Sequence, residues 1–309
     1  MEFQPAVSKL PASLQTCVIF NPAARGNKAR HFRRHLDEIA AHCALKATSG
    51  PGDARRLAAE AVRDGFDLIV AAGGDGTVNE TLNGLGDVPE GFARARLGVL
   101  PLGTINVFAR ELKIPLKVER AWEVLLAGQE RKIDLPWVEF SAKGLPQKQY
   151  FVQLAGSGLD ARAIELVSWS FKKKFGPLAY LAAGLQALGE TKPGITAQTD
   201  GKTVEGELIL LGNGRYYGGA FNIFPAAQLN SGHLELCAVP RMNWPTLLRC
   251  APHLLLRGKL PESAVRRLQA SRVTLSSDTK AAFELDGEWI GHLPATFGLE
   301  PQTLRVAVP

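Results

Sequence analysis

Residues 71–85 read AAGGDGTVNETLNGL, in which three glycines and one acid close an apolar run and lead into a helical pattern. A strand that ends in Gly73-Gly74-Asp75-Gly76-Thr77 and opens into a helix gathers unhindered backbone N–H groups and the positive end of the helix around one point, an arrangement suited to a phosphate. Glycine also lets a ligand approach the main chain closely. A tight strand-to-helix turn without a ligand can have the same sequence, so the glycine cluster alone does not choose between the two. Asp75 adds a constraint, because a carboxylate among phosphate oxygens is repulsive unless a cation lies between them. Magnesium is the ordinary cation for that position, and the alternative is that the carboxylate orients a hydroxyl. Either role points to phosphoryl transfer from a nucleotide.

The stretch is not G-x-G-x-x-G, and no acid closes the next strand to hold a ribose, which argues against a dinucleotide dehydrogenase. There is no G-x-x-x-x-G-K-[ST] loop either, since Gly201-Lys202-Thr203 lacks the upstream glycine. A second stretch, LPLGTINVFARELKIP (100–115), repeats the logic of the first: a strand, a Pro-Leu-Gly turn, then Thr104 and Asn106 at the start of a helix. There the hydroxyl and the amide either contact the nucleotide or cap the helix.

The elements that must position these loops alternate. Strand-like TCVIF (16–20), DLIVAA (67–72) and LGVLPLG (97–103) are interleaved with helical ARHFRRHLDEIAAH, DARRLAAEAVRDG (53–65), VNETLNGL and VERAWEVLLAG (118–128). That rhythm predicts βαβ units on a mainly parallel sheet, an α/β domain over residues 1–135. After Asp134 the rhythm changes to strand-like runs separated by Gly, Asp-Gly or Pro turns: PWVEFSA, QYFVQLAG, ITAQTDGKTVEGELILLGNG, GHLELCAVP, SRVTLSS and AAFELDGEWIG. Residues 136–309 therefore read as a mostly β domain, interrupted by helical patterns at about 161–189 and 244–258. The closing TLRVAVP can return to either domain.

The 309 residues suit about two domains. At 46% hydrophobic and 21% charged, the chain has the balance of a globular enzyme. A net charge of +6 suits anionic ligands or an anionic membrane surface but is too diffuse to call for nucleic acid. Cys17, Cys43, Cys237 and Cys250 are far apart, with no C-x-x-C pair and no histidine at zinc spacing, and read as reduced thiols of a cytoplasmic protein. No segment reads as an export signal or a membrane span.

Taken in order, Asn21-Pro22, Thr48 followed by Gly52-Asp53-Ala54, GGDGTVNE (73–80) and PLGTINVFAR (101–110) resemble the bacterial diacylglycerol kinase-like lipid kinases. IDLPWV (133–138), FVQLAGSGLDA (151–161), GNGRYYGGAFNIFPAA (212–227), LDGE (285–288) and LRVAVP extend the likeness over nearly the whole chain. The resemblance implies an α/β domain related to those of NAD kinases, a C-terminal β-sandwich, and ATP with Mg2+ as the phosphoryl donor. By motif, it implies that Thr48, Gly74, Asp75, Gly76, Thr77, Val78, Asn79, Glu80 and Thr104 hold the nucleotide, with Asp75 beside the phosphates and the metal. It also implies that Glu288 is the general base that takes the proton of a lipid hydroxyl. A carboxylate within hydrogen-bond reach of that hydroxyl can do so, although a plain Asp-Gly hairpin would read the same. Asp134 matches a family aspartate linked to the network around Asp75, or is a buried cap or turn residue.

The chain departs from the family pattern at a turn that commonly carries Asp-Asp-Gly or Asn-Asp-Gly and holds a structural magnesium. Here it reads Asn230-Ser231-Gly232, so an ion would meet Ser231 and the main-chain oxygens of Gln228 and His233, a neutral and weaker set. Val107 replaces an acid found in many relatives. Arg25, Lys28, Arg30, Arg33 and Arg34 form a basic cluster, either a solvated helix face or a source of ATP contacts, and His31 and His35 read as surface residues. SWSFKKKFGPLAYL (168–181) has the composition of an interfacial helix on anionic lipid, or of aromatics packed inward beneath solvated lysines.

The sequence thus leads to an ATP- and magnesium-dependent lipid kinase, peripheral on a membrane, whose exposed β-edges permit a homodimer. The rivals are an NAD kinase and a nucleotide-binding regulatory protein without catalysis.

Overall fold

The computed structural model describes residues 15–22, 39, 41, 43–166, 186–187, 189–190 and 192–309. The chain divides into two compact units, residues 1–133 with 303–309, and residues 134–302. The basic cluster from Arg25 to Arg34, with His31 and His35, and the Lys172–Lys174 segment lie outside the described residues.

In the first unit, β1 (Thr16–Phe20), β2 (Ala44–Ala47), β3 (Leu68–Gly73) and β4 (Arg96–Pro101) form a parallel sheet in the order β2-β1-β3-β4. Every residue of β1, β3 and β4 is buried; strands covered on both faces read as continuous apolar runs rather than alternating ones. The C-terminal segment adds Val306 beside Leu97 of β4. Among the described residues, five helices accompany the strands: α1 (Asp53–Arg63), α2 (Asp75–Gly86), α3 (Gly91–Arg94), α4 (Val107–Glu111) and α5 (Val118–Ala127). The apolar stripe of α1, with Ala54, Leu57, Ala58, Ala61 and Val62 at helical spacing, packs with Cys17, Ile19 and Ile69 of the sheet. Because β1 connects outward to β2 while β3 connects the other way to β4, the connections diverge between β1 and β3. In open α/β sheets, ligands bind at the carboxyl ends of such strands.

Across the chain from Glu130 onward the strands are β5 (Glu130–Ala142), β6 (Leu145–Tyr150), β7 (Leu154–Gly158), β8 (Ile195–Thr199), β9 (Lys202–Gly206) and β10 (Leu208–Gly212). They continue as β11 (Tyr216–Tyr217), β12 (Phe221–Asn222), β13 (Leu234–Val239), β14 (Arg266–Ala270), β15 (Arg272–Ser277), β16 (Ala282–Leu285), β17 (Glu288–His292) and β18 (Ala295–Ala307). In the second unit, one antiparallel sheet has the order β14-β13-β10-β7-β16-β17. Facing it are β9, β8, β15 and the first part of β18, with β5 and β6. Ile209, Leu211, Leu234 and Leu236 meet Val138, Ile195, Val273 and Leu275 between the layers. Edge-to-face aromatic pairs, Phe140–Phe283 at 5.2 Å and Phe283–Phe297 at 5.9 Å, lie in the same core. Among the described residues, the α-helices of this unit are α6 (Leu159–Leu166) and α7 (Trp244–Arg257).

One run differs from its sequence reading. QYFVQLAG is broken between Tyr150 and Leu154, because a distant carboxylate takes the main-chain N–H groups there. TLRVAVP, which the sequence left open to either domain, begins in the last part of the thirteen-residue β18 and falls in the first unit.

Candidate active site

The glycine turn at the end of β3 and the Pro-Leu-Gly turn at the end of β4 are fastened to each other. The Gly73 carbonyl accepts from both Leu102 N–H (2.9 Å) and Gly103 N–H (3.2 Å). Asn106 closes the second loop through its side-chain amide, whose Nδ2 donates to the Gly103 carbonyl (2.7 Å) while Oδ1 accepts from Gly103 N–H (3.0 Å). Gly74 and Gly103 meet main chain to main chain: a Cβ on Gly103 would lie 2.6 Å from the Gly74 Cα. Gly74 caps α2 in an extended conformation without a side-chain cap, so the first amides of α2 retain the donor character of a helix N-terminus.

Asp75 is the first residue of α2 and is partly buried, and its Oδ1 accepts from Phe108 N–H of α4 at 3.3 Å. Thr77 Oγ1 accepts from Asn21 Nδ2 at 3.3 Å, tying α2 to the end of β1. Thr48 N–H donates to the Phe20 carbonyl at 2.9 Å, which brings it to the same strand ends. Thr104 is exposed in the second loop. The other members of the GGDGTVNE run are used differently. Val78 and Asn79 are buried, and Glu80 accepts from Gly52 N–H (2.8 Å) and Ala54 N–H (3.0 Å), capping the start of α1 with a carboxylate. Within this unit the structure therefore gathers Thr48, Gly74, Asp75, Thr77 and Thr104 at the carboxyl ends of the strands, with Glu80 as a brace.

In the second unit, Asp286 and Gly287 form the two-residue turn between β16 and β17, with Leu285 paired to Glu288. Both turn residues have positive φ, 50° and 86°, the signature of a type I′ hairpin. The turn is held from beneath at three amides: Asp286 Oδ2 accepts from Val152 N–H (2.9 Å), and Oδ1 accepts from Gln153 N–H (2.9 Å) and Leu154 N–H (3.1 Å). Glu284 Oε2 accepts from Gly287 N–H at 2.7 Å. Glu288 stands exposed on the far side of this braced turn.

Below the turn lies a buried acidic pair. Asp160 Oδ2 and Glu284 Oε1 are enclosed without a close hydrogen-bond donor, the side-chain donor nearest to Asp160 being the buried Tyr217 hydroxyl. Both converge on Gly156, where a Cβ would sit 2.5 Å from the first and 2.8 Å from the second. Burial pushes the Asp160 carboxyl from 3.8 up to about 6, and burial together with the Asp160 charge pushes Glu284 well above the usual carboxylate range. A carboxyl whose pKa is raised by folding stabilises the native state below its unfolded pKa and loses that contribution as pH rises through the folded value. Asp160→Asn is therefore expected to unfold at a higher temperature than wild type at pH 7.5, by a clear margin. The margin should close between pH 6 and pH 4, and calorimetry across that range that finds a constant gap would contradict the assignment.

The sequence profile of the diacylglycerol kinase catalytic domain matches residues 15–138, and that of the YegS C-terminal NAD kinase beta sandwich-like domain matches residues 153–308. A diacylglycerol kinase of Bacillus subtilis strain 168 is 32% identical over 305 residues, covering 94% of this chain and 95% of that protein. The chain belongs to the diacylglycerol kinase family. A diacylglycerol kinase of Staphylococcus carnosus strain TM300 is 30% identical, with 94% of each chain covered. A crystal structure of a diacylglycerol kinase from Bacillus anthracis strain Sterne shares the fold, with a TM-score of 0.71 and 22% identity over 96% of this chain and 97% of that one.

As a member of the diacylglycerol kinase family, the chain is a phosphotransferase with an alcohol acceptor, and a kinase family implies ATP as donor. Among the described residues no helix is long and apolar enough to cross a membrane. The turn in which family members commonly hold a structural magnesium closes on itself here. The Gln228 carbonyl accepts from Ser231 N–H (3.1 Å), the His233 carbonyl accepts from Ser231 Oγ (3.1 Å), and His233 Nδ1 lies 2.9 Å from the Ser231 carbonyl. A neutral donor set already engaged in this way does not fit magnesium, and we assign no metal to Gln228, Ser231 and His233. Asp134 is fully buried beside this turn, its oxygens accepting from Gly232 N–H (2.7 Å) and Gln302 N–H (2.9 Å). In the second unit it thus acts as a tie between segments distant in the chain.

Sequence reasoning missed Asn106 as the clamp of the second loop, Asp286 as the anchor of the LDGE turn, and the Asp160–Glu284 pair. The local signal was the Asp-Gly dipeptide; the amides on Asp286 lie far off in the chain, the Asp160–Glu284 pair depends on burial, and Asn106 closes on Gly103 only in the folded loop.

Proposed function

We propose that this enzyme transfers the γ-phosphate of ATP to the hydroxyl of a membrane lipid of the diacylglycerol type, with Mg2+ at the phosphates. The observation that carries the reading is the junction of the two glycine loops, where main chain meets main chain at the carboxyl ends of β3 and β4 and the amides of α2 begin. The acceptor is inferred from relatives at 30–32% identity that are named diacylglycerol kinases and are covered almost end to end. Asp75 suits the metal: magnesium in kinase sites takes one or two carboxylates together with substrate phosphates, and a single acid at a helix N-terminus is such a donor. When bound, the ion would neutralise charge on the phosphates. Glu288 takes the hydroxyl proton as the acceptor oxygen attacks, and the braced hairpin fixes its direction.

The test is phosphoryl transfer from labelled ATP to a panel of lipid alcohols, with NAD as a soluble acceptor. Labelled phosphatidic acid is the expected product. Labelled NADP alone, or no labelled lipid of any class, would overturn the reading. Glu288→Gln is expected to lower kcat by about 10²- to 10⁴-fold while leaving ATP affinity unchanged. A variant of full activity would remove Glu288 from the chemistry.

A further inference from the structure

Helix α7 carries an exposed apolar face that no described residue of the second unit covers. Asn243 caps its start by accepting from Thr246 N–H at 3.0 Å, and Gly258 ends it at φ 63°. One side packs inward through Cys250 and Leu254. Along the other run Trp244, Leu248, Pro252 and Leu255, spaced four, four and three residues apart, which places them in one stripe. Trp244 is 57% exposed, Leu248 70%, Leu255 78% and the adjacent Leu256 85%. Single exposed leucines are ordinary; a helix that presents a tryptophan and three leucines together is not.

The charges around this stripe identify its partner. Between Pro240 and Pro261 the sequence has Arg241, Arg249, Arg257 and Lys259 and no acid, and all four cations are exposed; the acids beside this segment are engaged, Glu262 with Arg267 at 3.1 Å and Glu207 with Met242 N–H at 2.6 Å. Arg241 and Arg249 also line a groove with Pro245, Thr246 and Ser263 at the start of the helix; Arg249 donates to Ser263 Oγ through Nη2 and keeps its other N–H groups, and two guanidinium groups side by side suit a phosphate. A second copy of this chain would set cations against cations across a two-fold axis. An anionic bilayer instead meets the apolar stripe with acyl chains and the cations with headgroups, the pattern of an interfacial amphipathic helix.

We propose that the exposed face of α7 is a membrane-docking surface for anionic phospholipid. The inference deepens the lipid-acceptor reading above and rests on it only for its purpose, since docking is measured without ATP or acceptor. Purified protein is sedimented with vesicles of phosphatidylcholine alone or with about 40% phosphatidylglycerol. Wild type is expected to pellet with the anionic vesicles and to be released by high salt. Two variants divide the surface: Leu248→Ser/Leu255→Ser/Leu256→Ser and Arg241→Gln/Arg249→Gln/Arg257→Gln. Each is expected to weaken anionic-vesicle binding at least tenfold while keeping wild-type circular dichroism and wild-type transfer to a short-chain, monomeric acceptor. The Trp244→Phe protein should lose the fluorescence blue shift that anionic vesicles induce. Unchanged vesicle binding by both triple variants would overturn the proposal, as would wild type binding equally to neutral vesicles. So would a wild-type dimer, measured by light scattering, that the leucine variant dissociates. Loss of lipid phosphorylation with vesicle binding intact would count against the kinase reading and leave the docking surface standing.

Discussion

Asp75→Asn is expected to leave a folded protein whose kcat is lower by about three orders of magnitude or more. The substitution keeps the size of the side chain and the acceptor for Phe108 N–H, so α2 and α4 keep their contact. It removes the negative charge at the one acid of the GGDGT turn, at the start of α2, where the transferred phosphate and its magnesium are proposed to sit. Catalysis of phosphoryl transfer is almost entirely positioning and charge stabilisation, so the loss should fall on kcat more than on ATP affinity. Raising magnesium should restore part of the rate, because a weaker ligand set is filled at higher ion concentration. A variant with wild-type kcat at low magnesium would show that Asp75 stands outside the reaction.

Gly103→Ala is expected to weaken ATP binding by one to two orders of magnitude. The added methyl would sit 2.6 Å from the Gly74 Cα and 2.7 Å from Asn106 Oδ1. The first of these neighbours is main chain and cannot swing aside, so the two loops must separate, at a cost typical of overpacking, about 1–3 kcal/mol. The amides facing the phosphates move with them. Gly50→Ala is the control: nothing lies within 4 Å of its added carbon, and ATP binding should not change. Equal affinities for the two variants by titration calorimetry would mean that the loop junction does not hold the nucleotide.

The parts of this protein that were legible in its sequence are those in which local chemistry and local structure coincide. Glycines after DLIVAA and after LGVLP mark tight turns wherever they occur, and the buried β1, β3 and β4 announce themselves as apolar runs. β2 and β14 did not, because ALKA is short and only partly buried, and RRLQA carries two arginines at the edge of its sheet. The roles that escaped depend on distant partners or on loop geometry that residue types do not specify. Glu80 looks like part of a nucleotide motif until the amides of Gly52 and Ala54 are found on it. Asn106 reads as a helix cap, yet its side chain bridges Gly103 and caps nothing. Asp286 is needed in its hairpin both for φ 50° and for three amides more than 130 positions earlier. Ser231 closes its own turn, which is why the absence of an acid there leaves an ordered loop.

The account rests on the loop junction as the phosphate site, and a crystal structure with magnesium and a non-hydrolysable ATP analogue tests it most directly. It should place the β- and γ-phosphates against the amides from Gly74 to Thr77, with the ion bridging them to Asp75. Phosphates bound elsewhere, with those amides turned to solvent or to side chains, would contradict it.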